Sequence, residues 1–422
     1  MSTISAPARS LARRAPAWVW PALLIGGLLS ACGGGGGDGS ANTASVNTAT
    51  ALSAQAELGQ QIFNDAALSA SGEQSCASCH DAAHAHAAPN ADAAQFGGRQ
   101  APLVLQGNRA AGSIRYLAYN RSFRFDTDGT PTGGFFWDGR AASLAEQAKG
   151  PFTNPVEMAN ADAAEVVSRL RSRPYAAAFQ ALYGAAIFDD ADAAMARIAL
   201  ALQAYQKEAP EFAPFSSKYD AVLRGQATLS DQEKRGLAWF NSPAKGNCAG
   251  CHPSTRGADG SLPLFTDFSY DALGVPRNWA VPSSHNDLGL CNAAIDAVQA
   301  LSEAQRAQLC GLFKVPSLRN VALRQSYFHN GRFHDLKQAV TFYVQRDTNP
   351  EKWYVLADGA TPDVDAEGNV VKFHDLPEAY RGNVNQTEAP YNRPKGGTPA
   401  LNASEIDDVV AFLRTLSDGW TP

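Results

Sequence analysis

The stretches Cys76-Ala77-Ser78-Cys79-His80 and Cys248-Ala249-Gly250-Cys251-His252 decide how this 422-residue chain is interpreted. Each places two thiols three positions apart, with a histidine directly after the second. This is the pattern of c-type haem attachment, in which the thiols form thioethers to the porphyrin and the imidazole binds the iron. Because the pattern occurs twice, the sequence predicts two covalently bound haem c groups with His80 and His252 as iron ligands.

Two other uses of these four cysteines stay open at this point. They would also suit a split zinc site, or two redox dithiols. Neither chemistry needs a histidine directly after each pair, so haem attachment is favoured. We expect Cys291 and Cys310 to form a disulfide, because an exported chain meets an oxidising compartment; two separate thiols are the alternative.

The N-terminal residues predict export and a membrane anchor. Three arginines precede an apolar run that ends at Ala31, which is typical of a signal peptide over residues 1–31. Leu29-Ser30-Ala31-Cys32-Gly33 resembles a bacterial lipobox, with an ordinary signal peptide and a chance cysteine as the alternative. Residues 32–53, rich in small and polar residues, predict a flexible tether. We therefore expect a periplasmic protein, anchored by lipid on Cys32 to the outer membrane.

The remaining sequence predicts two mainly helical domains. Octets with helical apolar spacing precede both haem motifs, at 56–63 and 233–240, and form an internal repeat. We therefore expect cytochrome c-like haem domains over residues 54–225 and 226–422. The net charge of −6 argues against nucleic acid as a partner and suits a redox protein with a basic face.

Other helices and loops are expected between these landmarks. Helical patterns run over about 162–171 and 190–207, and N-cap sequences stand at 229–231 and 401–405. Strand signals are few. Long segments punctuated by Gly and Pro, at 96–136 and 358–399, are expected to wrap the haems.

Four further segments carry a family resemblance. They are FWDGRA at 136–141, NPVEM at 154–158, FKVPSLRNVAL at 313–323 and YFHNGRF at 327–333. In this order around the two haem motifs, they resemble the bacterial di-haem cytochrome c peroxidase and MauG superfamily over nearly everything after the tether. The resemblance implies an oxidoreductase that uses hydrogen peroxide as acceptor, with peroxide reacting at the first haem.

The resemblance also implies roles for three residues of the first domain. Glu157 matches the distal acid and base, since a carboxyl can move a proton between the two peroxide oxygens. Gln147 matches a distal amide that orients peroxide, and Trp137 matches an indole that relays electrons between the haems. The alternatives are a helix-terminal carboxylate, a surface amide and a core tryptophan.

The second haem departs from the usual peroxidase pattern. Peroxidases of this kind commonly use a distal methionine there, but no methionine follows the second haem motif. Aligning the segment 336–343 with the ligand helix of the family puts Tyr343 at the ligand position, as in the MauG branch. A core aromatic, with His329 or His334 as ligand or the position vacant, is the alternative; His329 itself is expected to pack near this haem without binding it.

A tyrosine ligand changes the implied chemistry. A phenolate favours ferric and higher oxidation states, so the resemblance to the MauG branch implies that both haems are oxidised together, through Trp137, and then oxidise another substrate. The segment 244–247 lacks the surface tryptophan through which MauG oxidises its protein substrate. Maturation of methylamine dehydrogenase is therefore not expected.

Two further features of the sequence concern a bound cation and the histidines near the first haem. The family holds a calcium ion between its domains, but the matching segments 102–106 and 324–326 place Arg324 there, which argues against the ion. His84 and His86 follow the first haem motif and are expected to be solvated loop histidines, with capping of the distal haem face as the alternative.

The leading hypothesis is a peroxide-dependent di-haem enzyme. Its partners would be hydrogen peroxide and either a small redox protein, such as a cytochrome c or cupredoxin, or an oxidisable protein or small molecule. A di-haem electron carrier without peroxidase activity is the main alternative. A carrier has no use for Glu157 and Gln147 beside an open iron. A membrane-tethered haem sensor is a third hypothesis, but the sequence supplies no output module.

Overall fold

A computed structural model describes residues 51–281 and 287–422. The predicted signal peptide, Cys32 and nearly all of the predicted tether lie outside these described residues. The described part is mainly α-helical, as predicted, and Ala51–Pro422 form one compact unit. No helix in the described part is long and apolar enough to cross a membrane.

The described residues form twelve α-helices joined by long loops. In chain order, α1 to α12 are Ala54–Asn64, Cys76–Cys79, Leu144–Thr153, Ala163–Arg171, Ala176–Tyr183, Ala191–Glu208, Lys218–Leu223, Asp231–Asn241, Asp296–Gln299, Glu303–Ala307, Leu336–Gln345 and Ala403–Arg414. The predicted helices near 162–171 and 190–207 are confirmed as α4 and α6, with Asp162 and Asp190 as their N-caps.

The first hydrophobic core forms where α1 crosses α6. Gly59 lies at the crossing, and a Cβ atom there would lie 2.0 Å from the carbonyl oxygen of Ala201. Leu58, Ile62 and Phe63 of α1 are buried in this core. The apolar face of α1 predicted from the sequence is therefore the face that packs, and glycine is required for the close approach of the two helices.

The second core repeats this arrangement with α8 and α12. A Cβ atom on Gly236 would lie 1.9 Å from the carbonyl oxygen of Asp408. Both helices begin with capping boxes, Ser230 with Glu233 and Asn402 with Glu405, as their sequences predict. Gly59 and Gly236 occupy the same position in the two octets of the sequence repeat. The repeated sequence therefore corresponds to a repeated helix crossing.

The predicted domain boundary at 225/226 stays a prediction. The first core draws its residues from 58–212 and the second from 219–416, so α7 packs with the second core through Tyr219. Arg319 of the second half forms a buried ion pair with Asp220 and lies 4.7 Å from the ring centre of Tyr116 in the first half.

Strands are few in the described residues, as the sequence predicts, and they are short. Three antiparallel pairs are described, each of two residues per strand: β1 (Phe96–Gly97) with β2 (Leu105–Gln106), β3 (Arg124–Phe125) with β4 (Pro131–Thr132), and β5 (Tyr270–Asp271) with β6 (Phe313–Lys314). The predicted disulfide between Cys291 and Cys310 is confirmed.

Candidate active site

The first attachment motif forms the short helix α2. Ser75 and Ser78 form a capping box at its start, and α2 ends at Cys79, directly before His80. The Nδ1 atom of His80 donates to the carbonyl oxygen of His86 at 3.1 Å. Burial lowers the pKa of His80, so the imidazole is neutral at pH 7 and its Nε2 lone pair is available to a metal.

His86 lies behind this motif and is not solvated. Its side chain is only 2% exposed, its ring lies 4.4 Å from that of Phe212, and Arg115 donates to its Nδ1 atom. The expectation of a solvated loop histidine is therefore wrong for His86, because tertiary packing covers the loop. His84 is half-buried and contacts Asp81 and Gln325 through its ring nitrogens.

The second attachment motif has the same histidine geometry. Cys248–Gly250 form a 3-10 turn, and the Nδ1 atom of His252 donates to the carbonyl oxygen of Phe265 at 2.8 Å. His252 is buried, and burial lowers its pKa. The Nε2 atom of this neutral imidazole is again the one available to a metal.

The donor sets fit two c-type haems better than the alternatives. The described cysteines outside the disulfide are those of the two motifs. Cys76 packs against the first core and Cys248 against the second, so the structure does not gather four thiols around one ion. Each motif instead offers two thiols and one imidazole with its Nδ1 engaged by a carbonyl, which is the donor set that covalent haem needs.

Glu157 lies beside the first attachment motif. Burial raises the pKa of its carboxyl, although Asn154 donates to its Oε1 atom at 2.7 Å. Burial raises the pKa of Cys79 most, and the charge of Glu157 is the second cause of the increase. The Glu157 carboxyl and the Cys79 thiol are therefore close together. The carbonyl oxygen of Glu157 accepts from Gly98 in the β1–β2 loop at 3.0 Å, so the backbone here is held as well.

Gln147 and Trp137 lie on either side of the start of α3. Gln147 is on α3 itself, half-buried, and its amide has no hydrogen bond to the described residues. The indole nitrogen of Trp137 donates to the carbonyl oxygen of Ala110 at 3.0 Å, and the ring packs against Gly112. The backbone of Gly112 is close enough to His80 to raise its pKa, so Trp137 contacts a segment that lies near the first histidine.

Lys314 links Trp137 to the second half and was given no role from the sequence. Its backbone N–H donates to the carbonyl oxygen of Trp137 at 2.9 Å, and its Nζ atom donates to that of Gly134 at 2.6 Å. Burial lowers the pKa of Lys314 to about 7. A lysine inside the apolar segment 313–323 was the available signal, because a buried lysine needs a specific acceptor.

Tyr343 lies beside the second attachment motif on α11. Burial raises the pKa of its phenol, and the charges of Cys251 and Cys248 raise it further, so these groups are neighbours. Its ring packs against those of Phe328 and Tyr391, at centroid distances of 5.5 Å and 6.1 Å. The segment 336–343 is helical as predicted, and Tyr391 is a second buried phenol that the sequence did not reveal.

The alternative ligands for the second haem lie elsewhere. His329 stacks on Phe313 with ring centres 3.5 Å apart, and its Nε2 atom lies 3.8 Å from a carboxylate oxygen of Asp375. His334 is exposed, with its Nδ1 atom 3.1 Å from the carbonyl oxygen of Gln325. Neither contact involves the second attachment motif.

The segments matched to the calcium site hold a buried cation. Burial lowers the pKa of Arg324 to about 10, and its guanidinium donates to the carbonyl oxygen of Ser317. The neighbouring Gln325 donates to the carbonyl oxygen of Pro89, while Val104 and Leu105 are exposed. A divalent cation beside Arg324 would meet like charge, so the sequence argument against calcium stands unchanged.

Comparison with known proteins gives consistent matches. A family model described as di-haem cytochrome c peroxidase matches residues 53–228. The methylamine utilization protein MauG of Paracoccus denitrificans is 36% identical over 375 residues, which cover 86% of this chain and 89% of that protein. The cytochrome c551 peroxidase of Pseudomonas aeruginosa is 31% identical over 292 residues, 68% of this chain and 70% of that protein.

A solved structure matches over the same range. The diheme peroxidase BthA from Burkholderia thailandensis E264 superposes with a TM-score of 0.76 and 41% sequence identity, covering 86% of both chains. Fold and sequence therefore point to the same group of proteins.

Proposed function

Since this chain belongs to the di-haem cytochrome c peroxidase and MauG family, we propose that it reduces hydrogen peroxide beside Glu157 and draws the electrons from a donor at the second haem site. It is a peroxide-dependent di-haem oxidoreductase. When bound by the two motifs, the haems supply the one-electron redox steps that peroxide reduction needs.

The position of Glu157 carries the proposal. A buried carboxyl with a raised pKa beside Cys79 holds its proton up to a higher pH than a surface carboxylate does. It can give that proton to the leaving oxygen of peroxide and take one from the other oxygen. Asn154 fixes the carboxyl by donating to Oε1, and the backbone bond from Gly98 fixes its segment.

Gln147 and Trp137 complete the first site in this proposal. The half-buried amide of Gln147, on the helix before Glu157, orients peroxide by donating a hydrogen bond. Trp137 relays electrons between the sites, because it contacts the segment near His80 on one side and Lys314 on the other. Lys314 acts as a positioning residue that holds the backbone on both sides of the indole.

A tyrosine ligand at the second haem, which we assign to Tyr343, is the feature that supports a MauG-like enzyme. Its phenol lies beside Cys248 and Cys251, on a helix distinct from the segment that carries His252. Its raised pKa means that the phenolate forms only when a cation such as iron compensates the charge. With Tyr343 as ligand, the second site would favour giving electrons over accepting them, which suits an enzyme that stores two oxidising equivalents.

Export belongs to the same proposal. The arginine-led apolar run, the lipobox-like sequence and the tether support a periplasmic enzyme held to the outer membrane through Cys32. Growth with a radiolabelled fatty acid tests the anchor. Label in the native chain and none in a Cys32→Ser variant would support it, while an unlabelled native chain would exclude it.

Absorption and electron paramagnetic resonance spectra test the enzyme function. The ferric holoprotein is measured before and after one equivalent of hydrogen peroxide. We expect both haem signals to change together into a long-lived oxidised state, and a Tyr343→Phe variant to have an altered second-haem signal before peroxide is added. Two low-spin haems that do not react with peroxide, even after partial reduction, would exclude the enzyme function and support a di-haem electron carrier.

A peroxide response that appears only after partial reduction would contradict the MauG-like part of the proposal. It would instead fit a peroxidase that needs activation by its donor. An unchanged second-haem signal in Tyr343→Phe would remove Tyr343 as ligand.

A further inference from the structure

A polar surface cleft lies next to the second attachment site. It has a volume of about 540 Å³ and is lined by residues that include Asp347, Lys372, Gln386, Tyr391, Arg393 and Lys395. This volume is within the range of small-molecule sites. None of these residues has a part in haem attachment or in the proposed reaction of peroxide.

Tyr391 connects this cleft with Tyr343. It lines the cleft, is otherwise buried, and stacks on the Tyr343 ring at 6.1 Å with 30° between the ring planes. The guanidinium of Arg346 lies 4.2 Å from the centre of the Tyr391 ring. The charge of Asp271 raises the pKa of both tyrosines, so this carboxyl lies near both phenols. One aromatic contact therefore separates the cleft from the predicted ligand.

The cleft carries an excess of positive charge. Lys372 donates to Asp347 and Gln386, and Lys395 pairs with Glu351 at the rim. The guanidinium of Arg393 donates to the carbonyl oxygen of Ala244, while its buried Nε has no acceptor within the described residues. A carboxylate fits this set, since a guanidinium binds carboxylates through several N–H groups.

We propose that the cleft binds a small aromatic carboxylate with an oxidisable hydroxyl. In this proposal Tyr391 passes an electron from the bound molecule to Tyr343. The inference rests on the proposed function, which makes peroxide the electron acceptor. Each of two donor molecules loses one electron and its phenolic proton. Peroxide takes up the two electrons and two protons and forms two water molecules, so no other oxidant is needed.

The first experiment follows the return of the peroxide-oxidised holoenzyme to its ferric state in a stopped-flow instrument. The donors are ferulate and its neutral methyl ester. We expect ferulate to react faster than the ester, with saturation. Tyr391→Phe, which keeps the ring and removes the hydroxyl, should slow the reaction with ferulate about tenfold or more, while the oxidised state still forms at the wild-type rate.

Trp239→Phe is the matched control. Trp239 is a half-buried aromatic residue near the second motif, with the ammonium of Lys245 5.3 Å from its ring. The proposal expects no change of rate in this variant. A loss of rate in Trp239→Phe, with none in Tyr391→Phe, would overturn it.

A binding measurement tests the charge separately. Calorimetry of the ferric holoenzyme with 4-methoxycinnamate, which has no oxidisable hydroxyl, should detect binding. Arg393→Gln should weaken it about tenfold, because a charge-assisted hydrogen bond is lost. Lys207→Gln, at an exposed position of α6, should leave it unchanged.

The outcomes separate the two proposals. If peroxide produces no oxidised state at all, the proposed function fails. If the state forms but ferulate reduces it at the wild-type rate in Tyr391→Phe, the inference about Tyr391 is wrong. If ferulate and its ester react equally fast, or Arg393→Gln binds 4-methoxycinnamate normally, the cleft is not an anion site.

Discussion

The two halves of the chain place their attachment motifs on similar scaffolds and surround them with different side chains. Each half has a helix crossing at a glycine and a histidine whose Nδ1 atom donates to a backbone carbonyl. The first motif has the carboxyl of Glu157 beside it, whereas the second has the phenols of Tyr343 and Tyr391. In the proposed function, the repeat provides haem attachment in both halves, and the residues outside the repeat assign proton transfer to the first half and electron supply to the second.

The largest expected effect comes from removing the acid of the first half. A Glu157→Gln variant should lower the rate of peroxide-driven donor oxidation by about 10²–10⁴-fold, the usual contribution of a general acid or base. Peroxide should still bind, and the second-haem spectrum should stay unchanged. The exposed Glu73→Gln is the control in the same half. Full activity in Glu157→Gln would remove the carboxyl from the mechanism and make the two halves chemically alike.

The next effect concerns the buried ion pair of the second half. Arg319 is 2% exposed and donates two hydrogen bonds to Asp220, so Arg319→Leu leaves an unpaired carboxylate in the core. We expect the free energy of unfolding to fall by about 3–5 kcal/mol. In the first half, Arg173 pairs with Asp65 and is 30% exposed, so Arg173→Leu should cost about 1 kcal/mol or less. Urea unfolding of both holoproteins measures the difference.

Equal losses in these two variants would show that burial does not distinguish the pairs. A loss in Arg173→Leu larger than in Arg319→Leu would reverse the assignment of the more strongly paired half.

A third prediction tests the similarity of the two crossings. Gly59→Ala and Gly236→Ala each push a methyl group into a backbone carbonyl, at 2.0 Å and 1.9 Å before any relaxation. Each should lower the free energy of unfolding by about 1–3 kcal/mol, the usual cost of overpacking. Gly382→Ala is the control, because no heavy atom lies within 4 Å of its added Cβ. Very different losses of unfolding free energy at the two glycines would mean that the two helix crossings are packed differently although their sequences are similar.

The sequence predicted what depends on local spacing. The attachment motifs, the helices α1, α8 and α12, and the N-caps of α8 and α12 all follow from residues within a few positions of each other. Glu157 and Tyr343 were found only through a family resemblance, since nothing local marks them. Tyr391 was missed because it reaches Tyr343 only through the path of the long loop 358–399.

The burial of polar side chains was also poorly predicted from the sequence. His86 looked like a solvated loop residue, but its exposure depends on Phe212, which is far away in the sequence. The role of Lys314 likewise depends on two backbone carbonyls of the segment 134–137. Such partners are set by tertiary packing, and a single sequence does not reveal them.

The smallest effect is expected at the surface of the first half, where Glu165 pairs with Arg99 of the β1–β2 loop. Hydrogen bonds from Arg99, then from the backbone of Ala161 and from Arg169, lower the pKa of Glu165 to about 2. A lowered carboxyl pKa stabilises the fold above its ordinary value of 4.5, and this stabilisation is lost as the pH falls towards 2. Because the pair is partly exposed, Glu165→Gln should cost only about 0.2–1 kcal/mol at pH 7. Thermal unfolding of the two proteins should therefore differ at pH 7 and converge near pH 2; a difference independent of pH would mean that Glu165 acts by packing and not by charge.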